Sequence, residues 1–112
     1  MSNKNLVGHY NDVKPIYNDN LIKTGLYELI TPKSHGTNYS FNIMKLEAGG
    51  LVKEQSHAEE HAVFVLSGTC RILLGEEWVL VNAGNFLYIP SHLKHSFSNE
   101  AASPADVLIL KK

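Results

Sequence analysis

At 112 residues, with 44% hydrophobic and 19% charged residues, the chain suits one globular domain, large enough for a core and too small for two. The formal net charge is -1, Arg71 is the only arginine and the lysines are scattered apart from Lys111 and Lys112, so no basic face exists to follow a nucleic-acid backbone. No apolar run reaches the roughly 18 residues that span a bilayer, the N-terminal MSNKNLVGHYNDVKP lacks the apolar core of a signal peptide, and Cys70 stands alone, which leaves no intrachain disulfide and makes the cytoplasm the expected location.

Residues 1–23 are polar and rich in Asn and Asp, with Pro15 against any helix, and read as an N-terminal arm. From 24 to 112 the pattern is that of a single β domain. TGLYELIT (24–31), NYSFNIMKLE (38–47), AVFVLSG (62–68), TCRILLG (69–75), EWVLVNAG (77–84), NFLYIP (85–90) and ADVLIL (105–110) are dense in β-branched and aromatic residues. Between them stand turn signals such as TPKSHGTN, AGG, GEE, IPSH and NEAASP. Strand-like runs recurring every 8–12 residues predict an all-β fold, a small antiparallel barrel or sandwich of two sheets. Several runs, among them AVFVL and WVLV, are apolar on both faces, so the outer face needs a second sheet or a partner subunit, and a homodimer is expected. Cys70, at the start of a strand run, reads as packing.

His57 and His61 are four residues apart and would share one face of a helix, as in a zinc-protease site. Ala58, however, stands where that motif needs Glu, and the run after His61 is β-branched and closed by Gly68. The strand reading therefore prevails: Gln55 and His57 share one strand face, AEE turns, and His61 opens the next strand. If those two strands are neighbours, the histidines face each other across a hairpin end. PSHLKHSFSN adds a further short strand starting at His95.

These residues resemble the cupins, a family of small β-barrels that hold a metal inside the barrel. The first cupin motif is matched in spacing by Gly49, Gln55, His57, His61 and Gly68, and the second by Gly84, Pro90, His92, His95 and Asn99. The resemblance covers residues 49–99 and implies a small antiparallel barrel, or jelly roll, of the single-domain cupin 2 type. Carried over position by position, it implies a metal set of Gln55, His57, His61 and His95. Gln55 stands where the family has its first histidine, His61 where it has a glutamate, and His92 where it has a glycine. His9, His35 and His92 fall outside the set, and Glu59 and Glu60 form a polar turn from which one carboxylate could reach the site as a base.

Three neutral imidazoles and an amide oxygen leave a divalent ion its full charge, which favours polarisation of carboxylate or enolate oxygens. Such ligands suit Zn, Ni, Fe, Mn, Co or Cu, and the sequence does not choose among them. With His61 turned inward, Val63 and Val65 follow, and His95 carries Phe97 with it. On the 38–47 strand, either Tyr39, Phe41 and Ile43 or Ser40, Asn42 and Met44 line the interior. The expected ligand is a small oxygenated molecule. The expected function is Lewis-acid isomerase or lyase chemistry on a carbonyl, enol or sugar acid; within the family, small cupins that process uronates use a Gln ligand, at another motif position. An Fe- or Ni-dependent dioxygenase and a non-catalytic binding or sensing module stand as alternatives, and no catalytic residue is assigned.

Overall fold

Short β-branched and aromatic runs cut by Gly, Pro, Asn and Ser can satisfy their backbone groups only by pairing as strands. The computed structural model describes residues 6–112 and contains eight such strands among them. These are β1 (Leu21–Ile30), β2 (Ser40–Gln55), β3 (His61–Ser67), β4 (Thr69–Leu74), β5 (Glu77–Asn82), β6 (Phe86–Ile89), β7 (His95–Ser98) and β8 (Ala105–Lys111). The helix α1 is a single turn, Pro32–His35, opened by a Thr31–Ser34 capping box and ended by Gly36. The HAEEHAV segment is not helical. In the arm, Tyr10–Asp12 form one 3-10 turn and Ile16 bridges to Leu26. No helix of the described residues is long and apolar enough to cross a membrane.

All strand pairs are antiparallel, in the order β5-β4-β7-β2-β8-β3-β6, with β1 along the other edge of β2. The sheet curls into two layers because β2 belongs to both. Its first half, Ser40–Leu46, pairs with β8, and its last part, Leu51–Gln55, pairs with β7. Between them the strand bends at Glu47–Gly50, opposite a register break in β1 at Lys23. Met44, Leu46, Val63, Val65, Ile89, Val107 and Ile109 from one layer and Val52, Cys70, Ile72, Val81 and Phe97 from the other form one buried core. The expected inward positions of Val63, Val65 and Phe97 are found, and on β2 it is Asn42 and Met44 that face inward.

One expectation is corrected by the pairing. β2 and β3 are not neighbours and make no hairpin, because β8 inserts between them. Residues 56–60 therefore cross over the end of β8, and His57 sits in this loop rather than on a strand.

The bend of β2 is pinned by Asn99, only 1% exposed. Its Nδ2 donates to the carbonyls of Leu46 (3.1 Å), Glu47 (3.2 Å) and Ser103 (2.9 Å), and its Oδ1 accepts from Ala101 N (3.0 Å). The backbones of Asn99 and Gly49–Gly50 add two more bonds. Gly68, with φ +79°, closes the β3–β4 turn against β8; a Cβ there would lie 2.4 Å from Pro104 O and 2.8 Å from Ala105 Cα. Only glycine fits this position.

Asn99→Ala leaves three carbonyls and an amide N–H at the bend to find other partners. It is expected to lower stability by about 3 kcal/mol, measured as a reduced urea midpoint at unchanged m-value.

Candidate metal centre

The interior face of the first layer can be read in rows across the register. Ser40, Lys111, His61 and Ile89 form the outermost row, and Asn42, Ile109, Val63 and Leu87 the next. Alternation along β3 that buries Val63 and Val65 thus also turns His61 inward, where it is almost fully buried. On the facing layer, β7 lies between β2 and β4, with Gln55 and Leu74 on either side of a fully buried His95.

His57 reaches the same place from its loop. Three hydrogen bonds lace this loop to the β6–β7 turn: His92 N to His57 O (2.7 Å), Ser56 Oγ to His92 O (2.7 Å) and Ser91 Oγ to Ala58 O (2.5 Å). The turn is made with His92 in the left-handed region, φ +67°, so the family's glycine conformation is kept by a residue with a Cβ. His92 is exposed and does not line the cavity. His9 and His35 also lie elsewhere, and both are exposed.

His57, His61 and His95 converge. Their ring centroids are 4.8, 4.8 and 5.0 Å apart, and one ligand-capable nitrogen from each lies within 4.8 Å of the others. His95 Nδ1 donates to Leu93 O at 2.7 Å, which fixes the tautomer and leaves Nε2 with its lone pair. That Nε2, with Nδ1 of His57 and of His61, is buried without a hydrogen-bond partner. Glu59 Oε1, 3.8 Å from His57 Nδ1, is too far to be one. Burial among apolar side chains, with His95, His57 and Lys111 nearby, lowers His61 to about 3. Burial also lowers His95, against an opposing pull from the Leu93 carbonyl. Both imidazoles are therefore neutral near pH 7 and present lone pairs. Buried and unpartnered, the three nitrogens fit a divalent metal ion.

The histidines line a cavity of about 200 Å³. Gln55 lines it too, as do Leu21, Leu26, Met44, Val52, Phe97 and Ile109. The arm's Asn18 and Asn20 border it, so the arm contributes to the site. Glu60 does not: its carboxylate accepts from Tyr88 OH on the outer surface. Of the other polar lining residues, Asn42 was an expected wall position on one of the two possible faces of its strand, whereas Lys111 was not expected. Lys111 had a usable signal, since the alternation of buried Ala105, Val107 and Ile109 continues inward to it. Cys70 is buried in the core, where desolvation raises its thiol to about 11, as suits a packing residue.

The family described as Cupin domain matches residues 42–111, more than half of the chain. An uncharacterized protein of Streptomyces coelicolor is 33% identical over 60 residues, 54% of this chain and 57% of the relative, so the chain spans little more than half of that relative's length. Among solved structures, the polyketide cyclase RemF of Streptomyces resistomycificus superposes with a TM-score of 0.84 at 20% identity, over 94% of this chain and 77% of its own. A predicted oxalate decarboxylase of Thermotoga maritima gives 0.81 at 19% identity, covering 94% and 96%. A cupin-2 domain of Rhodospirillum rubrum gives 0.82 at 17% identity, covering 95% and 73%. At such identities the likeness carries the fold.

Folded His61 stays neutral down to about 3, whereas the unfolded residue takes a proton near 6.5. The unfolded state therefore binds the extra proton below about 6.5, and stability falls as the pH drops through that region. In chelator-treated protein, His61 alone is expected to remove about 2 kcal/mol between pH 7 and pH 5. Urea midpoints across that range check this, and His61→Leu flattens the slope.

Proposed function

This chain belongs to the cupin family, and from that premise we propose that it is a metal-dependent enzyme acting on a small oxygenated molecule by Lewis-acid isomerase or lyase chemistry. The observation that carries the reading is the convergence of three unpartnered imidazole nitrogens on one cavity. His57, His61 and His95 would hold a divalent transition metal, with Gln55 completing the set from the end of β2. A metal held there supplies Lewis acidity that polarises a carbonyl or enol oxygen. The protein's own part is orientation. The Leu93 carbonyl holds His95 in its ligating tautomer, and the laced loops hold His57 against it. Among the described residues no carboxylate or phenol lines the cavity, and Glu59, beside His57, is the acidic group placed to move a proton at its rim. The polyketide cyclase and the predicted oxalate decarboxylase are consistent with this barrel serving chemistry on oxygenated carbon compounds.

Metal analysis of protein purified without added metal is expected to give about one ion per chain. His57→Ala and His95→Ala are each expected to reduce this at least tenfold. Stoichiometric metal persisting in both variants removes the ligand assignment. Metal-dependent oxygen uptake would transfer the protein to the dioxygenase reading, and ligand binding that survives metal removal to the binding-module reading.

The same reading includes a homodimer. The outer face of β2, β8, β3 and β6 carries two apolar rows, Phe41, Leu110, Ala62 and Tyr88, and Ile43, Leu108, Phe64 and Phe86. Phe86 is 82% exposed. A face without charge in these rows meets a two-fold copy of itself without like-charge repulsion, which makes a second copy its fitting partner. Light scattering is expected to give twice the chain mass, and Phe86→Lys to return the monomer with its metal content intact.

A further inference from the structure

Two asparagines are buried almost completely, and they are opposites. Asn99 spends both amide atoms on hydrogen bonds to four backbone groups. Asn42, at 0% exposure, has neither Nδ2 nor Oδ1 bonded to anything in the protein. An unbonded buried amide is costly to a fold, and the next inward positions toward the core, Met44 and Leu46, are apolar. Asn42 lines the histidine cavity beside Met44, Ile109 and Leu26, with Gln55, Asn18 and Asn20 also on its wall. One row outward, Lys111 turns into the same cavity beside His61. Among the described residues, no carboxylate pairs with Lys111.

We propose that Asn42 and Lys111 are the ligand-recognition residues of this pocket, and that the ligand is a small hydroxy acid. This deepens the function proposed above and rests on the histidine cavity being the ligand site. The pairing of groups sets the class. Nδ2 needs an acceptor and Oδ1 a donor, and a hydroxyl group is both, whereas a carbonyl would leave Oδ1 unsatisfied. The Lys111 ammonium calls for an anionic oxygen near the metal set. Adjacent rows on a strand are about 7 Å apart, so carboxylate and hydroxyl belong to one short molecule. The cavity of about 200 Å³ suits a small molecule.

The test uses lactate and 3-hydroxybutyrate as probes, with butyrate lacking the hydroxyl and 3-hydroxybutyramide lacking the charge. Calorimetric titration of the metal-loaded protein is expected to show at least one hydroxy acid binding tenfold or more tightly than both controls. Asn42→Leu is expected to erase the preference over butyrate at unchanged metal content, and Lys111→Met to erase the preference over the amide. A second readout is independent of metal and ligand. If Asn42 serves a ligand, removing its orphaned amide relieves the free protein, so chelator-treated Asn42→Leu should melt higher, by roughly 4–8 °C. A purely structural Asn42 gives a lower melting temperature. Hydroxy acids that bind no better than the controls, or an Asn42→Leu protein that melts lower than the parent, overturn the proposal. Absence of metal in the parent defeats the metal reading alone, and the melting comparison then decides this one.

Discussion

A single strand that bends is the constraint on which the rest of this barrel depends. β2 is sixteen residues long and serves both layers, so its bend decides which residues of each layer face each other. A bend in a strand strands backbone carbonyls that would otherwise pair along the ladder. Asn99 takes up those of Leu46 and Glu47, and its own backbone exchanges two bonds with Gly49 and Gly50. The same side chain accepts from Ala101 and donates to Ser103, tying in the turn that leads into β8. One buried amide thus links the start of the first motif to the end of the second, which is a physical reason for an asparagine at that position.

The site inherits its order from this frame. His61 and His95 are placed by strand alternation in opposite layers, and their approach follows from how the layers close over the core. His57, being in a loop, needs separate restraint, which the bonds between the 56–60 loop and the β6–β7 turn supply. His92 accepts a left-handed backbone there, at φ +67°, where the family has glycine. Such a conformation carries strain of about 1 kcal/mol for a residue with a Cβ, and the bonds to both of its backbone groups hold it.

Function and stability pull against each other in the pocket. Three imidazole nitrogens and an amide are desolvated without protein partners. Each is a cost to the fold that a bound ion or ligand would offset. The surrounding core is conventional by comparison, made of Val, Ile, Leu, Met and Phe with Cys70 as a small inert member.

Much of this was legible in the chain. Alternating short strands were sufficient for the all-β fold, which rests on local periodicity and on turns that glycine makes, as at Gly68, where a Cβ would strike Pro104. The grouping of His57, His61 and His95 came from the likeness of the Gly49–Asn99 spacing to the cupin motifs. The pairing order was not legible: β8, from the end of the chain, inserts between β2 and β3, and no local signal announces so distant a partner. The face of β2 that turns inward, the position of His57 in a loop, and the lack of a protein partner for the Asn42 amide depend on that same long-range pairing. Sequence determines which side chains alternate. Only tertiary structure decides what each one meets, because a hydrogen bond left unmade is a property of neighbours far away in the chain.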